Sequence, residues 1–194
     1  MAKLFFYDTE TTGVKYWRNG IHQISAIIEI DGVVKESINL NPRPNPKAEI
    51  ELGALEIGNV TREQIMEYED MKSVHSKLVS RLEQYVDKFN PADKFFLVGY
   101  NNRSFDDSFL RAWFTQCGDK YFGSWFWSSG IDVMVLAAQI LMDKRADMEN
   151  FKLMTVAKYL GIEIDEFQLH DAFYDVTLTR QVYMALGKLI RGNK

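Results

Sequence analysis

The sequence predicts an α/β domain in which a mixed sheet is covered by helices on both faces. Three observations predict it. Two strand-like segments joined by an Asp-Gly pair give an antiparallel hairpin early in the chain; later strand segments alternate with helical stripes; and the first and fourth strands are apolar without alternation, as strands buried on both faces are. At 194 residues, with 46% hydrophobic and 26% charged residues, the chain has the size of one globular domain spanning residues 1–194 and enough apolar side chains for a core.

The elements follow in order. Residues 3–8, apolar and aromatic, form the first strand. Residues 21–30 and 33–40 form the second and third, separated by Asp31-Gly32, a pair suited to the positive φ angles of a two-residue hairpin turn. Residues 41–46 hold three of the four prolines, which forbids helix or central strand and places a surface loop there. Thr61 opens a short helix with Glu63 and Gln64 in its first turn. A longer helix is expected over residues 71–89, with Val74, Leu78, Leu82 and Val86 on one face and Pro91 beyond its end. Residues 95–100 read as a fourth strand, followed by a helix over 104–116 and a short apolar segment over 121–126. Helices over 132–141, 151–160 and 172–189 carry apolar stripes at three-to-four spacing, with Gly161 as the C-cap of the middle one. There is no internal repeat and no low-complexity tract.

Composition narrows the function classes. The longest apolar runs, such as residues 4–7 and 133–138, fall far short of the roughly 20 residues a membrane span needs, and no basic-then-apolar leader precedes Asp8. The expectation is a soluble, cytoplasmic protein with no membrane partner. Cys117, the single cysteine, can form no internal disulfide and no cysteine-type zinc site, which suits a reducing compartment. A net charge of −4 argues against sequence-blind wrapping of duplex DNA, which relies on many Lys and Arg contacts to phosphate. It leaves room for a local groove, because acids gathered round divalent ions lower the formal charge while the metal presents positive charge to a substrate.

Several acids are candidates for chemistry. Asp8 and Glu10 stand two apart at the end of a buried strand, so both point to one face of the sheet. Two unpaired carboxylates in apolar surroundings are costly, and a divalent cation compensates both; the other reading is a solvated turn past the strand, helped by Thr11-Thr12-Gly13. Asp106 shares a helical stripe with Phe109, Leu110, Trp113 and Phe114 and should face the sheet, whereas Asp107 falls toward the flank beside Arg111. An acid there can also be a capping or dipole-stabilised group. Asp175 lies on a stripe with Thr179, Val182, Leu186 and Leu189 that turns it inward, and His170 sits before or in the first turn of that helix. His22, within an apolar strand, and His75, on the polar side of its helix, read as structural. Trp17, Trp125 and Trp127 read as core, with an exposed binding patch as the other reading.

These residues carry a resemblance. Asp8-Thr9-Glu10-Thr11-Thr12-Gly13 matches the first motif of the DnaQ-like exonuclease family, which includes the proofreading epsilon subunit of bacterial DNA polymerase III. The segment Asn102-Arg103-Ser104-Phe105-Asp106-Asp107-Ser108-Phe109 resembles its second motif, with Asp106 as the acid. His170-Asp171-Ala172-Phe173-Tyr174-Asp175 matches the third, histidine then aspartate five later, of the histidine branch called DEDDh. A sister branch with tyrosine four before the aspartate fits poorly, because that position is Asp171. Ile21-His22-Gln23-Ile24, residues 54–61 and residues 132–137 are also similar, so the likeness runs from about residue 3 to residue 187. There are departures. Asn101 stands where many relatives have histidine, Arg103 replaces an alanine, and Gly58-Asn59 stands where relatives often carry a histidine. Arg103 would either meet a substrate phosphate or neutralise Asp107.

The resemblance implies a ribonuclease H-like fold with a central five-stranded mixed sheet whose first three strands are antiparallel. It implies a 3′-to-5′ exonuclease that acts at the free 3′ end of single-stranded or frayed DNA or RNA and releases nucleoside 5′-monophosphates. Two divalent ions, Mg²⁺ or Mn²⁺, would be held by Asp8, Glu10, Asp106 and Asp175, with Asp8 bridging, Glu10 and Asp175 on the ion that carries the attacking water, and Asp106 assisting. His170, whose unperturbed pKa is about 6.5, would be the general base. Thr11, Thr12 and Gly13 would cradle the terminal nucleotide, Asn102 and Phe105 would contact it, and Phe105 and Ile57 would stack on its base. A polymerase is a protein partner by the same resemblance. Two other readings stay open: a catalytically silent nucleic-acid-binding domain, and a phosphoesterase acting on small nucleotides.

Overall fold

The computed structural model describes residues 1–165 and 171–192. Its sheet has five strands: β1 (Lys3–Thr11), β2 (Ile21–Ile30), β3 (Val33–Leu40), β4 (Phe96–Gly99) and β5 (Ile131–Asp132). Their order is β3-β2-β1-β4-β5, with the first three antiparallel and β1, β4 and β5 parallel. The Asp31-Gly32 turn has φ of 50° and 81°, the positive pair that matches hairpin twist.

Alternation along β1 divides the core. Phe5 and Tyr7 point to one face with Ile24, Ala26, Ile28 and Ile38, where α3 (Met71–Leu82), α4 (Asp106–Gln116) and α5 (Phe122–Trp125) pack. Leu4 and Phe6 point to the other with Ile27 and Val98, beneath α6 (Val133–Ile140), α7 (Leu153–Tyr159) and α8 (Ala172–Gly192). Each fully buried Leu, Ile or Phe contributes roughly 1.5–3 kcal/mol, so both helix layers are held by burial rather than by helix propensity. An ion pair joins α8 to the sheet: Arg180 meets Glu29 of β2 at 2.6 Å, and Glu29 is buried.

The shorter elements depart from the sequence expectation. The third helix ends at Leu82, not 89, because the chain tightens into turns at 83–86 and Lys3 takes the Tyr85 carbonyl while pairing with Asp93. Two further helices, α1 (Leu52–Ile57) and α2 (Arg62–Glu67), precede it; α2 starts with a reciprocal capping box between Thr61 and Gln64. A 3-10 segment, Met142–Asp147, follows α6. At Gly161 (φ 73°) the Ile162 N–H donates back to the Ala157 carbonyl and closes α7, as a C-capping glycine does. His75 faces the core between Trp113 and Phe114, not the polar side, because it shares the stripe of Met71, Val74, Leu78 and Leu82.

Candidate active site

The first motif ends β1. Asp8 and Glu10 continue the face of Leu4 and Phe6, so they project on the side covered by α8. Beyond them the chain is stitched in place. The Thr12 N–H donates to Gly20 O at 2.8 Å, the Gly20 N–H donates to Thr12 Oγ1 at 2.9 Å, and the Glu51 N–H donates to Thr12 O at 2.8 Å. Thr11 Oγ1 donates to Gly13 O at 2.7 Å and Thr12 Oγ1 to Glu49 O at 2.6 Å. Both threonine side chains are thereby occupied and buried. A side chain at Gly13 would place its first carbon 2.4 Å from Asn19 Nδ2 and 2.6 Å from Glu51 Oε1, so the close approach of these segments requires glycine.

The second motif opens α4. Asp106 is buried against the sheet as its stripe predicts, and its Oδ1 accepts from the Thr9 N–H at 3.1 Å and from Thr9 Oγ1 at 2.6 Å. One end of the carboxylate is thus fixed to the strand that carries Asp8 and Glu10. Asp107 is also buried, a correction to its expected place on the open flank. Tyr7 donates to its Oδ1, and Arg103 pairs with its Oδ2. Of the two roles considered for Arg103, neutralising Asp107 is the one this geometry displays. Asn102 lies inside the same network, donating to Tyr7 Oη at 3.3 Å, while its backbone carbonyl accepts from the Phe105 and Asp107 N–H groups. Phe105 is half-buried against Phe109, and Ile57 is exposed.

The third motif begins α8. Asp171 caps it, accepting from the Tyr174 N–H at 2.9 Å, and its carbonyl accepts from the Asp175 N–H at 2.9 Å. Asp175, one turn in, lies within electrostatic reach of Asp8 and Glu10. His170 lies outside the described residues.

The acids perturb one another. Burial, then Asp106, Glu10 and Asp175, push the Asp8 carboxyl well above the usual carboxylate range. Burial, then Asp175, Asp106 and Asp171, raise Glu10 to about 7. Burial raises Asp106 to about 6, although both Thr9 hydrogen bonds act to lower it. Asp8 and Glu10 accept no hydrogen bond and form no ion pair among the described residues. Among the described residues their charge therefore lacks a positive partner. Among the described residues, no group of three or more His, Cys, Asp or Glu side chains is drawn together tightly enough to hold a metal ion. The four carboxylates sit in one electrostatic field without converging on one point, as like charges arrange themselves. Their donor chemistry, all hard oxygen with charge in excess, fits a divalent cation of the Mg²⁺ or Mn²⁺ type.

Three residues matter here that sequence reasoning gave no part in the site. Thr9 anchors Asp106; its place between the two acids was the available signal. Asp171 caps α8, a role its position before the helix announces. His22, read as structural, is buried beside Glu10, and apart from a weak interaction with the Thr11 backbone its ring nitrogens lack a hydrogen bond. The tryptophans divide: Trp125 is core, Trp127 is half-buried and Trp17 is 66% exposed, in ring contact with Tyr16 at 5.0 Å.

Comparison with known proteins agrees with this architecture. In three structures of E. coli Exonuclease I the fold recurs. One is in complex with a dT13 oligonucleotide: TM-score 0.74, 23% identity, covering 97% of this chain and 41% of that one. The second is a zinc-bound form with single-stranded DNA: TM-score 0.76, 22% identity, 100% and 42%. The third is in complex with the SSB C-terminus: TM-score 0.72, 20% identity, 98% and 43%. The chain spans about two-fifths of the length of these proteins, and at such identity the likeness concerns the fold, which is the ribonuclease H-like exonuclease fold. No curated protein matches the chain. No helix among the described residues is long and apolar enough to cross a membrane. A family model described as RNase T, exonuclease, matches residues 5–183, and the chain belongs to that family.

Proposed function

We propose that this chain is a metal-dependent 3′-to-5′ exonuclease that hydrolyses the terminal phosphodiester of DNA or RNA and releases nucleoside 5′-monophosphates. The observation that carries the reading is the electrostatic union of Asp8, Glu10, Asp106 and Asp175. They come from three separate segments; Asp8 and Glu10 have carboxyl groups raised by burial and by the other acids, and Asp106 by burial and Asp107. Asp8 and Glu10, raised and with no cation beside them among the described residues, leave a place for a metal. When bound, two divalent ions activate water, neutralise charge on the phosphoryl oxygens and stabilise the leaving 3′ oxygen.

The chain's own residues divide the remaining work. Asp8, which feels the other three acids, would with Glu10 from β1, Asp175 from α8 and Asp106, held by Thr9, from α4 supply the oxygens that hold the ions. His170 takes the proton from the attacking water. The turn of Thr11, Thr12 and Gly13, held rigid by its internal hydrogen bonds, shapes the cradle for the terminal nucleotide. Phe105 and Ile57 offer apolar surface to its base. Asn102 acts from beneath, holding the start of α4. The single strand continues past the exposed Trp17, which offers a ring face for stacking beside Lys15; the neighbouring Arg18 is held by Glu49. All of this lies within one domain.

The test is digestion of 5′-labelled single-stranded DNA and RNA oligonucleotides with and without Mg²⁺ or Mn²⁺, with Asp8→Ala as control. A metal-dependent ladder shortening from the 3′ end, absent in the control, supports the reading. Intact polymers with a folded, metal-binding protein would reject it in favour of a catalytically silent nucleic-acid-binding domain or a phosphoesterase for small nucleotides.

A further inference from the structure

Three observations converge on His22. First, the pairing of β1 with β2 is interrupted there: Glu10 opposes Gln23 and Thr11 opposes Ile21, so His22 opposes no residue. Such a bulge re-aims a side chain out of the regular alternation, and bulges are frequent next to active sites. Second, His22 is 1% exposed, and apart from a weak interaction with the Thr11 backbone its ring nitrogens have no hydrogen-bond partner. A buried imidazole so incompletely satisfied is unfavourable, and its retention calls for a partner that arrives later. Third, the ring edge and a carboxylate face one spot. A side-chain carbon built on Gly58 would lie 3.5 Å from His22 Cε1, 3.7 Å from His22 Nε2 and 3.6 Å from Glu10 Oε2. The absence of a side chain at Gly58 leaves open the gap between imidazole and carboxylate.

We infer that His22 is a positioning residue for Glu10: its ring N–H donates to one Glu10 oxygen when the other oxygen binds a divalent cation. The inference rests on the metal-dependent reading above. A neutral ring always keeps one N–H to give and one lone pair to accept. A hydrogen bond to a ligating carboxylate fixes its orientation, and removing such a partner weakens metal binding about 10–100-fold. Gly58 is part of the same device, because a methyl group there would meet both partners at ordinary contact distance and fill the space that borders them. Its φ of −76° accepts alanine without backbone strain.

The experiment measures Mn²⁺ affinity by isothermal titration calorimetry, with no substrate present, for wild type, His22→Leu, His22→Gln, Gly58→Ala and Asp8→Asn. Thermal unfolding of each is followed in chelator. His22→Leu is expected to unfold at or above the wild-type temperature, since an unsatisfied buried polar group is gone, while binding Mn²⁺ at least tenfold more weakly. His22→Gln, which keeps a donor, recovers most of that loss. Stability and metal affinity then move in opposite directions, which a residue with a structural role alone does not produce. If His22→Leu binds Mn²⁺ within twofold of wild type while Asp8→Asn does not, the assignment of His22 is overturned and the metal site stands. If His22→Leu fails to fold, Gly58→Ala decides alone, and affinity within twofold of wild type overturns the assignment. If Asp8→Asn also binds as wild type does, the metal reading itself fails and takes this inference with it.

Discussion

Removing one carboxylate from the cluster should stabilise the metal-free protein, and Glu10→Gln is the substitution that reports this most cleanly. Glu10 is raised from its ordinary 4.5 to about 7 by burial and by Asp175, Asp106 and Asp171. A carboxyl whose pKa is higher in the folded than in the unfolded state releases its proton more readily on unfolding. Its penalty is absent below the unfolded value, grows between the two values and is complete above the folded one. A shift of that size corresponds to about 3 kcal/mol at most. Glu10 is part-exposed and therefore screened, so about 1–2 kcal/mol is the realistic magnitude. For a chain of this length that amounts to a rise of roughly 2–8 °C in unfolding temperature. The assay is thermal unfolding by circular dichroism in chelator at several pH values from 4.5 to 8.5, for wild type and Glu10→Gln. The variant should be indistinguishable from wild type at the acid end and more stable from about pH 7 upward. Adding saturating Mn²⁺ should reverse the order. A variant less stable than wild type at pH 8 in chelator, or a difference independent of pH, would refute the electrostatic reasoning.

Other consequences can be checked alongside. Gly13→Ala should cost about 1–3 kcal/mol, because Asn19, which would have to move, is fixed by bonds to the Thr12 and Glu49 carbonyls and the Lys15 N–H; denaturant unfolding measures it. Arg180→Ala should cost about 3–5 kcal/mol by leaving Glu29 charged and buried, whereas Glu29→Gln with Arg180→Ala together should cost less, and the double-mutant cycle reads the difference. His170→Ala, at saturating Mg²⁺, should abolish the rise of the rate through neutral pH and leave Mn²⁺ affinity within about twofold; an unchanged pH profile would remove His170 from the role of base. Trp17→Ala should change stability by less than about 0.5 kcal/mol while weakening binding of single-stranded oligonucleotides, read by anisotropy in chelator.

What was legible in the sequence follows from length of signal. The apolar run of β1 and the Asp31-Gly32 turn encode the first three strands in local pattern alone, and the structure reproduces residues 21–30 and 33–40 as strands. The fifth strand has two residues, Ile131–Asp132, too few for any periodicity, and Asp132 doubles as the N-cap of α6 by accepting from the Met134 N–H. The end of α3 was hidden for a different reason. It is set by Lys3, more than 80 residues away in sequence, which claims the Tyr85 carbonyl. In the candidate site, the stripe of α4 correctly turned Asp106 to the sheet, because helical periodicity reports burial. It misplaced Asp107, whose burial depends on Tyr7, which reaches it from β1 a hundred residues away, together with the local partner Arg103. His22 escaped notice because a bulge breaks the alternation from which its direction would be read. Trp17 escaped because an isolated aromatic in a loop carries no period at all.

The most direct test of the central claim is the chemical identity of the products. A single-stranded oligonucleotide labelled at its 5′ end, incubated with the protein and Mn²⁺, is analysed by mass spectrometry at early times. The account predicts nucleoside 5′-monophosphates together with labelled strands shortened one residue at a time and ending in a 3′ hydroxyl, all abolished by Asp8→Asn. Nucleoside 3′-monophosphates, internal fragments, or products formed equally by Asp8→Asn would contradict it.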